Sequence, residues 1–417
     1  MKNLLNDIRV GWFLGIRQIR RSNIWTTLLI VLIMTLTFLN LIVVSGILVG
    51  LIEGGNRANR NQYTGDVIIT TPSGKSYLEQ TQDLLSVVQS LPQVVSWSDR
   101  MLTSVSLEAN YQSRNFQELP NTAGGQLTGI DIDREIGVSG INQYIAEGSF
   151  LVPGSSGTIV LGKNLLRRYS ESFGDTFPAL DDVYIGDKIL VRVGEKVREF
   201  TVVGILDSKV GEISLRAFVT QNDFLSMAPR PAREVNEISL THNKTVSDEF
   251  IRDIFIERGF DGRAKIQTAV QAIPDFLNQI KTAFALLGSV IGGIGILVAS
   301  ITIFIVIFIN AVTRRKYIGI LKGIGISGAS IRIAYILQSL LYACLGSALG
   351  SVIIYTLLVP FFEANPLDFP FSDGILVAPV EQTLTRFGIL LLVTLIAGFI
   401  PAWMIIRQNT LDAILGR

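Results

Sequence analysis

Thr313-Arg314-Arg315-Lys316-Tyr317-Ile318-Gly319-Ile320-Leu321-Lys322-Gly323-Ile324-Gly325-Ile326-Ser327 lies between two long apolar runs, roughly 283–312 and 331–361. Arg314, Arg315, Lys316 and Lys322 make the stretch basic, and short basic loops are retained on the cytoplasmic side of a membrane. Ile318, Leu321, Ile324 and Gly325 recur at the steps that line one face of a helix. A loop that only connects two membrane helices has no use for such a face. The segment therefore reads as a short cytoplasmic helix that docks into another protein. The plainer alternative is a solvated turn whose charges only set topology.

The 417 residues are 48% hydrophobic with a mean hydropathy of +0.44. That is too apolar for an ordinary soluble protein, and the chain is long enough for a membrane part plus a sizeable separate domain. A net charge of +1 gives no overall field that would draw nucleic acid. One Cys (Cys344) and one His (His242) leave no Cys/His cluster for zinc and no disulfide within the chain. Cys344 falls in an apolar helix, where the expected role is a small buried hydrophobe.

Working outward, residues 1–23 mix Leu4, Leu5, Ile8, Trp12, Leu14, Ile16 and Ile19 with Lys2, Arg9, Arg17, Arg20 and Arg21. This is the pattern of an amphipathic helix on the inner membrane surface. Residues 24–52 form a first transmembrane helix with an outward stalk. The run is too long for a signal-peptide core and lacks a small-x-small cleavage site, so it is expected to be retained. At about 1.5 Å per residue it exceeds a hydrocarbon layer of about 30 Å. The arginines before it put the N-terminus inside.

Residues 53–275 are richer in charge, Gly, Asn and Ser, and they read as a large extracytoplasmic domain of mixed α/β structure. Strands are expected at Asp66–Thr70, Met101–Glu108, Ile238–Thr241 and Ala264–Gln267, and a hairpin at Lys188–Val193 and Val197–Leu206 around Gly194-Glu195. Helices are expected at Ser76–Ser90 and Val246–Arg258. Two subdomains fit, with an insert at about 140–230. Residues 276–312 give a stalk and second transmembrane helix, 313–330 the cytoplasmic helix, and 331–362 the third span. Residues 363–385 form an outer loop, 386–407 the fourth span, and 408–417 a cytoplasmic tail. The fold class is thus an α-helical membrane protein with one transmembrane helix before, and three after, a large outer α/β domain. Gly288, Gly292, Gly293, Gly295, Gly346 and Gly350 put small residues on helix faces, either for ordinary packing or for movable packing between subunits.

The run Arg315-Lys316-Tyr317-Ile318-Gly319-Ile320-Leu321-Lys322-Gly323-Ile324-Gly325 resembles the coupling-helix signature of FtsX/MacB-type ABC transporter permeases, Arg-x-Glu-Ile-Gly-x-Leu-Lys-Ala-Ile/Leu-Gly. Tyr317 stands where that family usually has Glu, and Gly323 where it usually has Ala. In the outer domain, Gly129-Ile130-Asp131, Ile145-Ala146-Glu147-Gly148-Ser149-Phe150, Thr158-Ile159-Val160-Leu161-Gly162 and Ile185-Gly186-Asp187-Lys188-Ile189 are similar, in order and spacing, to phrases of the MacB-like periplasmic core domain. Ala397-Gly398-Phe399-Ile400-Pro401-Ala402 and Leu411-Asp412-Ala413-Ile414-Leu415 resemble the family's C-terminal pattern, with Thr410 in place of a Pro.

The resemblance implies a permease subunit of the MacB/lipoprotein-release type in the bacterial cytoplasmic (inner) membrane, with both termini cytoplasmic. Arg315, Lys316, Ile318, Gly319, Ile320, Leu321, Lys322, Ile324 and Gly325 would couple it to a cytoplasmic ABC ATPase. ATP and Mg would be used by that partner, with no cofactor bound directly by this chain. A second permease subunit, a periplasmic adaptor or acceptor protein, and the lipid membrane complete the implied partners; nucleic acid is not among them. Mechanotransmission to export or extract a lipoprotein, lipid, peptide or drug is the implied work. The alternative is an FtsX-like regulator of a cell-wall hydrolase outside the membrane.

Other motifs fail on their own terms. Gly157-Thr158-Ile159-Val160-Leu161-Gly162-Lys163-Asn164 nearly spells a phosphate-binding loop, but Asn164 stands where a hydroxyl must reach Mg²⁺, and the middle reads as a strand. No Gly-x-Ser-x-Gly elbow occurs. His242 reads as a surface or structural residue. Asp181-Asp182 reads as a solvated pair rather than a general acid and base. An enzyme is not expected.

Overall fold

A computed structural model describes residues 2–20, 24–112, 119–170, 178–230, 234–313, 315–369 and 371–406. The expected tail at 408–417, with Leu411–Leu415, lies outside them. The chain divides into two units: Met1–Ile52, Gln279–Leu367 and Gly374–Arg417 in one, and Glu53–Asn278 with Asp368–Asp373 in the other. Four helices are long and apolar enough to cross a membrane: Ile24–Thr64, Thr282–Ile309, Gly328–Ala364 and Val380–Met404.

The chain opens with α1 (Lys2–Arg20) and α2 (Ile24–Asn59), the latter extended by one wide turn at Arg60–Thr64. The second unit then builds one sheet from β1 (Val67–Thr70), β2 (Val94–Ala109), β3 (Asn121–Ile130), β4 (Ile145–Gly148), β5 (Thr158–Gly162), β6 (Lys188–Val193), β7 (Lys196–Leu206), β8 (Arg216–Thr220), β9 (Glu237–His242) and β10 (Lys265–Thr268). The order is β10-β1-β9-β2-β3-β8-β5-β7-β4, with β6 paired to β2 and β7. Its helices are α3 (Thr81–Ser90), α4 (Ile132–Ser139), α5 (Arg167–Ser170), α6 (Gly211–Ser214), α7 (Gln221–Met227) and α8 (Asp248–Glu257). The segment expected as an insert, 140–230, supplies β4 to β8 and so one end of a sheet shared by both halves.

Two elements differ from the sequence expectation for clear reasons. The backbone N–H of Leu78 donates to Val235 O at 2.8 Å, which holds 76–80 in a bend, so α3 starts at Thr81 rather than Ser76. β2 runs 16 residues because Val94–Arg100 pairs with β9 while Arg100–Ala109 pairs with β3. The family-like phrases are packing devices. A Cβ at Gly129 would lie 2.5 Å from Phe224 Cβ, and Asp131 caps α4 by accepting from Arg134 N at 3.2 Å. Gly148 has φ +76 and a Cβ there would lie 2.2 Å from Val203 O, so only glycine fits without displacing backbone.

The chain continues through α9 (Asp275–Thr313), α10 (Arg315–Gly323), α11 (Gly328–Ile353) and α12 (Val359–Ala364), then the short strands β11 (Leu367–Phe369) and β12 (Ser372–Gly374), and α13 (Val380–Ile406). A wide π-type turn at Ile354–Leu358 joins α11 to α12, next to Pro360, which has no N–H to donate. α13 begins six residues earlier than the expected fourth span, which brings Arg386 inside the helix. Cys344 is exposed on α11 rather than buried. The core of the first unit is formed by Ile30, Met34, Phe38 and Ile42 of α2, Ile303 and Ile307 of α9, Ile331, Tyr335 and Tyr342 of α11, and Leu390, Ala397 and Ala402 of α13.

The glycines sort by what they face. Cβ atoms at Gly346 and Gly350 would lie 2.4 Å from Met34 Cβ and 2.7 Å from Phe38 Cδ1, so α11 and α2 meet backbone to backbone. Gly295 and Gly288 face Asn40 and Leu48 of α2 at 3.0 and 3.2 Å. Among the described residues, a Cβ added at Gly292 or Gly293 would meet nothing within 4 Å. A Cβ at Gly398 would lie 2.6 Å from Ser339 Oγ, so α13 passes close to α11 at that point. Gly346→Ala should therefore lower the thermal midpoint in detergent, at a cost of about 1–3 kcal/mol. Gly292→Ala should leave it unchanged. Differential scanning fluorimetry of the two variants checks the contrast.

Candidate coupling segment and the anchor of the outer unit

α10 (RKYIGILKG) carries two glycines and two β-branched residues, so it owes its helix to burial of Ile318 and Leu321 and to a defined C-terminal stop. At its C-terminus the N–H of Ile326 donates to Leu321 O, and that of Gly325 to Lys322 O, each at 3.0 Å. With Gly325 at φ +91, these two bonds make a Schellman cap. Ser327 then caps α11 by accepting from Ser330 N at 3.1 Å. The run Gly323-Ile324-Gly325-Ile326-Ser327 is thus a helix stop followed at once by a helix start. Gly325, one of the expected docking residues, stands at this cap with positive φ.

The expected docking face splits in two. Ile318 and Leu321 are only 2% and 7% exposed and join the membrane-helix core of α2, α9, α11 and α13. Ile324 is 71% exposed, and with Tyr317 (49%) and Ile320 (51%) it recurs at the spacing of a second face. Gly319 is buried, Lys316 is exposed and Lys322 is half-buried. The side chain of Arg315 and all of Arg314 lie outside the described residues. One apolar row therefore seats α10 and another faces outward.

α1 packs along α11 beside this turn. Cβ atoms at Gly11 and Gly15 would lie 2.8 Å from Ser330 O and 3.2 Å from Ala334 O. Asp7 accepts from the hydroxyls of Ser327 and, at 2.8 Å, Ser330. Those two hydrogen bonds hold its carboxyl below the usual carboxylate range. Ile8, Trp12, Phe13 and Ile16 remain exposed on α1, an apolar surface of the kind expected of an interfacial helix.

The second unit contains a cluster with no local signature in the sequence. Arg100 of β2 and Glu135 of α4 form a two-pronged pair, Nε to Oε2 at 2.8 Å and Nη2 to Oε1 at 2.7 Å. Ser98 and Ser139 donate to the same carboxylate, each at 2.7 Å. Arg216 of β8 makes a second pair with Glu237 of β9, at 3.0 and 2.8 Å. Arg100 Nη1 lies 3.5 Å from Glu237 and links the two pairs. All four side chains are buried. Tyr63, in the wide turn that follows α2, donates to Glu237 at 2.9 Å, and its ring lies 5.4 Å and 5.0 Å from the guanidinium carbons of Arg100 and Arg216. Arg60 of that turn pairs with Asp66, and with Asp248 at 3.1 Å; Gln62 accepts from Ser208 at 2.8 Å and Lys209 N at 3.0 Å. The chain leaving α2 is therefore fixed into the sheet by charge-assisted bonds. Asp368–Asp373 belong to the same unit, where Lys209 pairs with Asp368 and, at 3.4 Å, with Asp373.

The remaining candidates are structural. Lys163, from the near phosphate-binding loop, pairs with Asp207, and Thr158–Gly162 is a strand. His242 is buried, with Nε2 2.9 Å from Asp248 and Nδ1 2.7 Å from Asn243 O. Asp181 pairs with Arg167 at 2.6 Å. Among the described residues no group of three or more His, Cys, Asp or Glu side chains could hold a metal.

Comparison with known proteins matches two adjoining family profiles to the chain. The MacB-like periplasmic core domain covers residues 27–273, and the FtsX-like permease C-terminal domain covers 289–410. The chain belongs to the FtsX/MacB-type permeases. Membership implies an ABC transporter that works with a cytoplasmic ATPase, in a membrane, with its α/β domain outside. Similar solved structures include the periplasmic region of MacB from Actinobacillus actinomycetemcomitans, at 14% identity over 53% of this chain and 94% of that one, TM-score 0.34. The extracellular domain of the ABC-type transporter YknZ from Gram-positive bacteria matches at 14% over 49% and 99%, TM-score 0.30. A permease domain from Porphyromonas gingivalis matches at 12% over 54% and 97%, TM-score 0.31. No curated protein matches significantly.

The buried cluster contributes to the response of this permease to acid. Burial alone would raise the Glu135 and Glu237 carboxyls, but the charges and hydrogen bonds of Arg100 and Arg216 outweigh it and hold both below the usual range. Groups lowered on folding stabilise the fold above their unfolded value, and that contribution is lost as pH falls through the folded value. The outer unit should therefore lose stability below about pH 4.3, the unperturbed Glu value. Glu135→Gln, which leaves Arg100 without its bidentate partner, should cost about 3 kcal/mol or more at pH 7. Thermal melts of wild type and variant between pH 7 and 3.5 check both.

Proposed function

We propose that this chain is the permease subunit of an ABC transporter of the MacB/lipoprotein-release type. In this reading two permease subunits pair, each docks an ATPase through α10, and ATP-driven motion passes to the outer domain. One observation carries it: α10 presents Tyr317, Ile320 and Ile324 outward while Ile318 and Leu321 are built into the core of all four spans. A partner that pushes on the outer row would move the helix bundle, because the inner row cannot slide without opening packed core. α2 and α9 run from that core directly into the chain of the outer unit, the route the proposed mechanotransmission would use.

The ATP and Mg²⁺ would be held by the partner ATPase. The cargo would be a lipoprotein, lipid, peptide or drug, moved outside the membrane or at its outer face, with a periplasmic adaptor or acceptor as a further partner. The proposed setting is the bacterial cytoplasmic membrane, with both chain ends in the cytoplasm.

The test is reconstitution with the co-purifying ATPase. Ile320→Asp combined with Ile324→Asp should reduce stimulated ATP hydrolysis about tenfold or more with an unchanged melting temperature. Leu321→Asp should lower the melting temperature instead, because it puts a charge into the core. Full stimulation by the double variant would contradict the reading. Normal ATP coupling that changes a cell-wall hydrolase, with no cargo moved, would assign the FtsX-like role.

A further inference from the structure

Arg386 lies in the seventh position of α13, inside the apolar stretch Val380–Met404. Its Nη2 donates to Ser45 Oγ of α2, and its Nη1 lies 3.4 Å from Ile42 O. Both partners are neutral. Among the described residues no carboxylate lies within ion-pair distance of it. A guanidinium has five N–H donors, and these contacts use two.

The setting makes this arrangement unusual. On α13 the exposed Glu381 lies five residues before Arg386, and the next 20 described residues of the helix carry no charge, so Arg386 stands at the outer end of the span. Its partners Ser45 and Ile42 lie in the charge-free part of α2, which runs from Ile24 to Ile52. A cation there without an anionic partner in the chain is costly, and ionisable groups within spans mark binding sites or relays. Arginine is also the side chain whose planar fork matches a phosphate with two parallel bonds.

Polar groups continue beside it. Thr383, one turn before Arg386, is buried, and its hydroxyl lies 2.9 Å from Tyr355 OH of the π-type turn at Ile354–Leu358. Tyr355 also donates to Ala378 O at 3.1 Å. This holds α13 and the widened end of α11 together.

We propose that Arg386 and Ser45 form a seat for the phosphate of an anionic, acyl-chain-bearing lipid, its headgroup drawn to the guanidinium and its chains along the exposed apolar sides of α13. The seat stands on the first unit alone and does not depend on the ATPase reading.

The test uses the full-length chain purified in detergent and observed by native mass spectrometry. It is titrated with dioleoyl phosphatidylglycerol and, separately, with dioleoyl phosphatidylcholine. Wild type should retain phosphatidylglycerol at least tenfold better than phosphatidylcholine. Arg386→Gln should abolish the preference, and Arg386→Lys, which keeps charge but not the fork, should keep part of it. A melting curve of each variant accompanies the titration, and the lysine variant serves if the glutamine variant does not fold. Equal retention of both lipids by wild type, or an unchanged preference in Arg386→Gln, would overturn the proposal. Inorganic phosphate added at millimolar concentration distinguishes the source. Continued lipid binding supports the acyl-lipid ligand, and displacement of the lipid by phosphate alone would overturn it in favour of a soluble phosphate.

Discussion

The seating of Ile318 and Leu321 among four membrane helices is the constraint on which the first unit turns. A nine-residue helix has too few internal hydrogen bonds to persist alone in water. α10 persists because its inner row is buried with α2, α9, α11 and α13, and because both of its neighbours in the chain are long helices. The Schellman cap at Gly325 and the Ser327 cap end α10 and start α11 within four residues, so little slack remains between them. Asp7 of α1 bridges Ser327 and Ser330, which ties the first helix of the chain to the same corner. A short helix seated on one face and capped at its C-terminus in this way is suited to passing on force, which is the property the proposed role requires.

The second unit solves a different problem. A wide sheet assembled from segments far apart in sequence needs something to fix register where its two halves meet. That place is β2, whose first half pairs with β9 and whose second half pairs with β3. Arg100 stands at the changeover, and the two buried arginine–carboxylate pairs bring β2, α4, β8 and β9 to one point. Tyr63 and Arg60 bring in the chain that leaves α2. Such pairs add little net stability over apolar packing, yet they tolerate only one arrangement, because an unpaired buried charge is costly. The gain is a fixed geometry at the root of the outer unit.

Periodicity and charge made much of this legible in the sequence. The four spans, the basic turn, the Gly194 hairpin, β9, α8 and β10 follow from local patterns that burial then uses. The seat of α10 was only half legible: the spacing of Ile318, Leu321 and Ile324 reveals a helix, but both of its sides are apolar, so spacing alone does not say which side is covered. Gly325 reads as a small contact residue until its positive φ is known. The Arg100–Glu135–Arg216–Glu237 cluster left no trace, since its members are 35 or more residues from their partners in most cases and each stands in an ordinary strand or helix. Arg386 reads as the boundary of the last span because a charge ordinarily ends one; inside α13 its partners are neutral groups on α2 that no local window contains.

The most direct test of the central claim is single-cysteine accessibility and crosslinking along α10, in native membranes and on a Cys344→Ser background. Cysteines at 317, 320 and 324 should react with a membrane-impermeant maleimide from the cytoplasmic side and crosslink to a soluble ATPase subunit, while cysteines at 318 and 321 should do neither. Equal labelling at all five positions, with no ATPase captured at any of them, would contradict a seated helix whose free face takes the load.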